Sequence, residues 1–369
     1  EMIGWGDVYK VVAAMAPLYF ALGLGYGSVR WWKLFTPDQY DAVNRLVAYF
    51  AVPFFAFDFA ARMDPYALNY RVLAADALSK LAVALALAAW AAASTRCCRG
   101  GAKRGGGGGE LASSWCITGF SLATLNNTLV VGVPLLDAMY GGWARDLVVQ
   151  ISVVQIIVYF PLLLLAFEVR RACGGGAGKP DAAAAVSASE DDVEDGGAEG
   201  RRRREPVWPL VRAVWLKVAR NPNVYAGVLG VAWSCVTNRW HIVTPSIIEG
   251  SVLIMSRTGV GLAMFSMGLF MALQEKIIVC GAGLTALGMA LRFVAGPAAT
   301  AAGAVALGLR GDVLRLAIIQ AALPQSITTF VFAKEYGLHA DVLSTAVIFG
   351  TLASLPVLIV YYIVLGFVG

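Results

Sequence analysis

Apolar positions along this chain come in runs far longer than the alternations of a soluble helix or strand. Ten stretches, roughly residues 7–28, 44–62, 68–95, 111–139, 145–169, 208–237, 246–273, 279–308, 312–336 and 341–367, are each apolar over a membrane-spanning length. About 20 apolar residues carry a helix across a bilayer, so the pattern predicts an all-α polytopic membrane protein with ten transmembrane helices. The first stretch has no positively charged lead-in and outruns a signal peptide's apolar region, so it reads as a retained span. Two stretches carry interruptions. Leu122–Tyr140, LATLNNTLVVGVPLLDAMY, holds Asn126, Asn127 and Thr128, then Gly132 and Pro134; Ala317–Tyr336, AIIQAALPQSITTFVFAKEY, holds Pro324, Gln325 and Ser326. Pro134 has no N–H for the carbonyl four residues back and its ring clashes with that turn, so the helix is expected to break there. Inside a bilayer the freed backbone groups need partners from elsewhere in the protein, water or a ligand.

The order of features repeats. Asp146 precedes Pro161 by the spacing at which Asp341 precedes Pro356, and the two corners read DAMYGGWARD and AKEYGLHAD. APLYFALGLG in the first span aligns with NPNVYAGVLG in the sixth, pairing Pro17 with Pro222, Ala21 with Ala226 and Gly25 with Gly230. Together these give two halves, residues 1–169 and 207–369, joined by a loop over 170–206. Five spans per half is an odd number, so the halves must be inverted repeats, and spans 4 and 9 can cross at the midplane. Broken helices in corresponding positions of two halves are the best sequence-level pointer to a transporter's binding site.

Composition agrees: 59% of the residues are apolar and 14% charged. The net charge of +5 matters through its distribution. Arg30, Lys33, Arg96, Arg99, Lys103, Arg104, Arg170, Arg171, Lys179, Arg201–Arg204, Lys276 and Lys334 fall in one set of alternate connections, whereas Arg62, Arg145, Arg239 and Arg310 fall in the other. The positive-inside rule puts the central loop in the cytosol and both termini on the non-cytosolic side. The Arg run is read as this topology signal, not as a nucleic-acid site. The loop itself, rich in Gly, Ala, Asp and Glu, cannot bury enough surface to order itself. GGAKRGGGGGE before span 4 reads as a tether, and residues 207–220 as an interfacial amphipathic helix. The six cysteines have no metal or redox spacing, no cofactor is implied, and no nucleotide-binding, protease or hydrolase motif occurs, so an enzyme is not expected.

Ionisable residues at membrane depth are costly and need a reason. Asp76 and Lys80 are one turn apart and can pair, either as a structural ion pair or as a charge site supporting transport. Asp58 in span 2 and Arg257 in span 7 have opposite signs and are expected to neutralise one another. At the interruptions, amides and freed N–H groups favour a carboxylate. Neither break carries a carboxylate of its own, which argues against a bound Na⁺. Gln155 and Tyr159 share a face of span 5, with Gln150 above them, and can line a pocket or bond helix to helix.

In MIGWGDVYKVV, NTLVVGVPLL, NPNVYAGVLG, MFSMGLFMAL, GLRGDVLRLAIIQAALPQ and FVFAKEYGLHADVLSTAVIFG, the chain resembles the PIN-FORMED auxin efflux carriers of plants over almost its whole length outside the central loop. The resemblance implies a homodimer in the lipid bilayer, with ten-helix subunits of the sodium/proton-antiporter-like or bile-acid-symporter-like kind. Each subunit would divide into a transport domain and a scaffold, and would export indole-3-acetic acid and similar aromatic carboxylates by an elevator movement. Carried over, it makes Asn127 a carboxylate partner beside Asn126, Gln155, Tyr159, Pro324, Gln325 and Ser326. Asp76 and Lys80 become a supporting charge site, and Asn221 and Asn223 the start of span 6. Five positions depart from the family: Leu125-Asn126-Asn127 where Pro normally precedes the crossover Asn, Ala56 and Asp58 for Ser and His, Arg257 for Asp, and Ser326 for Gly. The short central loop implies the endoplasmic reticulum membrane, with the plasma membrane as the alternative. The competing readings are an ion-coupled organic-anion transporter of the same fold and a non-transporting hormone receptor or scaffold.

Overall fold

The computed structural model describes residues 5–99, 107–174, 219–274 and 280–367, together with 212, 215, 216 and 278. Most of the central loop, residues 100–106 of the Gly-rich tether and most of the interfacial helix expected at 207–220 lie outside the described residues; the tether's last four residues, 107–110, already belong to the first helix of the fourth run. The described residues form helices and a single isolated β-bridge. In chain order the helices are α1 (Trp5–Arg30), α2 (Pro37–Leu46), α3 (Val52–Arg62), α4 (Tyr70–Arg99), α5 (Gly107–Thr124), α6 (Val133–Tyr140), α7 (Gly142–Val154) and α8 (Phe160–Gly174). They continue with α9 (Pro222–Trp240), α10 (Ser246–Leu273), α11 (Ala282–Ala290), α12 (Gly296–Ala306), α13 (Gly311–Ala321), α14 (Ile327–Glu335) and α15 (Ala340–Phe367). Among the described residues, seven continuous stretches are long and apolar enough to cross a membrane: Tyr9–Arg30, Pro37–Arg62, Tyr70–Ser94, Gly142–Arg171, Ser246–Leu273, Ala282–Ala306 and Ala340–Phe367. They coincide with seven of the ten apolar runs. The other three are the two interrupted runs, split into α5/α6 and α13/α14, and the run ending in α9.

Prolines explain much of the local geometry. Four five-residue turns of wide, i→i+5 bonding lie at Val47–Ala51, Thr128–Gly132, Gln155–Tyr159 and Leu291–Ala295. Each ends two residues before a proline: Pro53, Pro134, Pro161 and Pro297. The residue just before each proline donates to the carbonyl five back, as Val133 does to Thr128. The added residue in the turn makes room for the ring and leaves the helix running on. This corrects the expectation for Pro134: α6 continues through it, and the break lies at Leu125–Asn127, before the wide turn begins. Pro17 and Pro356 sit inside α1 and α15, which stay helical throughout.

Two groups of helices emerge from the packing. In one, α1 lies along α10, and α3 lies along both α9 and α10. In the other, α4 packs on α5 and α12, α12 on α13, and α15 on α11 and α14. Close crossings in the first group are set by glycine. A Cβ on Gly25 would run into the backbone of Phe265 and Gly268 on α10. One on Gly230 would lie 2.7 Å from Ala60 Cβ and 2.8 Å from the Phe57 oxygen on α3. Gly25 and Gly230, aligned by sequence, thus do the same work in two helix pairs, where small residues let backbones approach.

Candidate functional site

The two interruptions meet inside the second group. The Asn127 N–H donates to the Pro324 carbonyl at 2.8 Å, the Ser326 N–H donates to the Leu125 carbonyl at 3.2 Å, and Asn126 and Gln325 face each other in an antiparallel bridge. Each broken segment therefore satisfies backbone groups freed by the other, the requirement for non-helical backbone at membrane depth. Leu125, Asn126, Asn127, Leu323, Pro324, Gln325 and Ser326 are all buried.

The side chains divide the work. Asn126 donates through Nδ2 to the Gln320 carbonyl at 2.6 Å and accepts through Oδ1 from Arg292. Gln155 reaches across from the wide turn after α7, accepting from the Asn126 N–H at 3.3 Å and donating to its carbonyl at 2.7 Å. Gln325 donates to Ser121 at 3.2 Å and Thr329 at 2.7 Å while accepting from Arg292 at 3.3 Å. These amides hold the crossover together. Asn127 is different: its side chain is 8% exposed, and its Nδ2 is buried with no hydrogen-bond partner. A buried unpaired donor costs about 1–3 kcal/mol, a cost that a ligand acceptor would relieve. Asn223, on the first turn of α9, likewise has a buried Oδ1 with no partner, while Asn221 caps that helix through the Asn223 N–H at 3.0 Å.

Below the crossover, Lys80 donates to Asp76 at 2.5 Å, both side chains being under a tenth exposed. The Lys80 ammonium stands 4.0 Å from the Tyr159 ring centroid, so the ring face partly replaces the water the cation has lost. Asp76, Lys80, Asn126 and Gln320 line a cavity of about 10 Å³ that joins the ion pair to the crossover. Gln150, by contrast, accepts from the Asn69 N–H at 3.1 Å and caps the start of α4.

The expected Asp58–Arg257 pair does not form. Asp58 accepts from Arg62 one turn along α3 at 2.7 Å and from Ser256 at 2.8 Å, and Arg62 also reaches Glu249 at 3.3 Å. Arg257 is exposed. One residue along a helix turns the side chain by about 100°, so when Ser256 faces α3 its neighbour must point away. Asp58 instead lines a cavity of about 250 Å³ between α3, α9 and α10, with Trp233 and Glu249.

Arg292, absent from the sequence-based candidates, is fully buried at the centre of the crossover. Its guanidinium donates to the carbonyls of Leu122 (3.0 Å), Leu125 (3.1 Å) and Ala321 (2.8 Å), besides Asn126 and Gln325. The signal that could have found it is the isolated arginine well inside the apolar run 279–308, as telling as Asp76 or Lys80.

Comparison with known proteins covers nearly the whole chain. A family model described as membrane transport protein matches residues 10–362. The probable auxin efflux carrier component 5b of Oryza sativa subsp. japonica is 89% identical over 368 residues, all of both chains. Auxin efflux carrier component 5 of Arabidopsis thaliana is 56% identical over 374 residues, again all of both. Component 8 of the same plant is 37% identical over 380 residues, covering 99% of this chain and 100% of its own.

Proposed function

The chain belongs to the PIN-FORMED auxin efflux carrier family, transporters and not enzymes, and from that premise we propose that it moves the indole-3-acetate anion out of the cytosol. The observation that carries the site is the buried, unpartnered amide nitrogen of Asn127 at the crossing of two broken helices. It is the donor for the substrate carboxylate; Asn126, Gln155, Pro324, Gln325 and Ser326 shape the backbone around it, and Tyr159 and Asn223 border the path. Asp76 and Lys80 form the supporting charge site.

The architecture we propose is ten spans in two inverted repeats, residues 1–169 and 207–369, with the cytosolic loop 170–206 between them and both termini non-cytosolic. Recurring helix pairs support it: α1 on α10 matches α9 on α3, and α4 on α5 matches α12 on α13. In an elevator cycle the group built on α4–α8 and α11–α15 shifts against a scaffold of α1, α2, α3, α9 and α10. The carrier is a homodimer in the endoplasmic reticulum membrane, and no Na⁺ is coupled, since neither break carries a carboxylate to hold one.

The test is uptake of labelled indole-3-acetate into proteoliposomes. Transport is expected to persist when K⁺ replaces Na⁺ and when the pH gradient is collapsed. Absence of uptake would overturn the function, and strict dependence on either gradient would show a coupled ion, with Asp76 the group to examine first.

A further inference from the structure

A guanidinium taken fully out of water normally has a carboxylate beside it, because an unpaired buried cation is among the costliest groups a protein can hold. Arg292 has none among its hydrogen-bond partners. Its five acceptors are three carbonyls and two side-chain amide oxygens. Leu122 lies in the last turn of α5 and Leu125 directly follows that helix, while Ala321 ends α13. The free carbonyls at a helix C-terminus carry partial negative charge, so Arg292 sits where the negative ends of two broken helices converge. Those partial charges solvate the cation without cancelling it. Asp76 and Lys80, the charged residues lining the small cavity beside the crossover, cancel each other, and among the described residues no carboxylate bonds Arg292. The crossover therefore holds one uncompensated positive charge, bonded to the side chain of the residue next to Asn127.

We propose that Arg292 is the resident counter-charge of the substrate site: it pins the two helix ends together, and its charge is neutralised by the carboxylate that binds at Asn127. The inference rests on the transport reading above. It gives the site its preference for an anion over a neutral molecule of the same shape, a preference that Asn127, a neutral donor, cannot supply by itself. It also divides the cycle electrically. The loaded crossover is neutral when it moves, and the empty one carries the charge back.

The experiment compares binding of indole-3-acetate with its uncharged amide, indole-3-acetamide, in the purified carrier, in Arg292→Lys and in Arg292→Gln. The wild-type protein and Arg292→Lys should favour the carboxylate, and Arg292→Gln should lose at least tenfold of that preference while still binding the amide. An unchanged preference in Arg292→Gln, or equal losses for both ligands, would overturn the proposal. Should Arg292→Gln fail to fold, wild-type proteoliposomes serve. Exchange of labelled for unlabelled indole-3-acetate at saturation on both sides should be insensitive to membrane voltage while net efflux is not. Exchange that follows voltage as strongly as net efflux would also overturn it. Failure of the wild-type protein to bind or carry indole-3-acetate at all would instead strike the transport reading.

Discussion

At the scale of single residues, the site turns on which amides are already engaged. Asn126 and Asn127 are adjacent and chemically identical, yet one has both ends of its amide bonded and the other has a buried N–H₂ with no acceptor. Asn127→Ala should therefore weaken indole-3-acetate binding by about tenfold to a hundredfold, the cost of losing a hydrogen bond to a charged group, without lowering thermal stability. Equal affinity in the purified variant would move the site elsewhere. His339 provides a second residue-scale test. It lies in the corner between α14 and α15 at φ 47°, its ring 4.2 Å from that of Trp115 and its Nε2 3.1 Å from Ser114 Oγ. Burial, and then the nearby positive charge of Arg170, push its pKa below the ordinary value. The folded protein thus resists a proton that the unfolded chain accepts near about pH 6.5. The stability this contributes is complete above that pH and is lost as pH falls toward the folded value. Melting temperature should drop on acidification from about pH 7.5 to about pH 5.5. The drop should be smaller in His339→Asn, which tolerates the same left-handed backbone; identical drops would assign the effect to other groups.

At the scale of elements, the prolines and glycines divide into those that shape a helix and those that let two helices touch. The wide turns before Pro53, Pro134, Pro161 and Pro297 were hidden in the sequence although the prolines were plain, because a proline in a helix can be met by a break, a kink or an extra residue in the turn. Neighbouring contacts decide among these. Glycines show the same dependence. Gly23 and Gly25 are two residues apart on α1, but nothing lies within 4 Å of a Cβ on Gly23, whereas one on Gly25 would strike the backbone of α10. Gly23→Ala should be neutral or stabilise by up to about 1 kcal/mol through helix propensity. Gly25→Ala should destabilise by about 1–3 kcal/mol, as overpacking does. Melting curves of the two variants in detergent check this, and a Gly25→Ala protein as stable as Gly23→Ala would mean that α1 and α10 are not in close contact.

At the scale of the whole molecule, the proposed elevator requires the crossover group to slide past the proposed scaffold, and one seam between these helix groups lies where α9 meets the wide turn after α7. There a Cβ on Gly227 would stand 3.9 Å from Ile157 Cγ1, so side chains at the two positions meet across the seam. Oxidised Gly227→Cys/Ile157→Cys carrier should bind indole-3-acetate yet not transport it, with transport restored by reduction. Full-rate transport with the cross-link demonstrably formed would rule out sliding along this seam.

The sequence by itself determined the membrane class, the apolar runs, the two interrupted helices and the alignment of Gly25 with Gly230, because each rests on local composition or on spacing along one chain. It also identified Asp76 with Lys80, a pair one turn apart on a single helix. Contacts between segments were a different matter. Asp58 and Arg257 looked like partners by charge and span, but the rotation of α10 turns Ser256 inward and Arg257 out, and Arg62 on the same helix takes Asp58 instead. Arg292 became meaningful only when α5, α11 and α13 were brought together, since three of its five acceptors are backbone carbonyls, which every residue carries and no sequence distinguishes. Tertiary structure alone decides which of those carbonyls stand at a broken helix end, and so where a buried positive charge can be held.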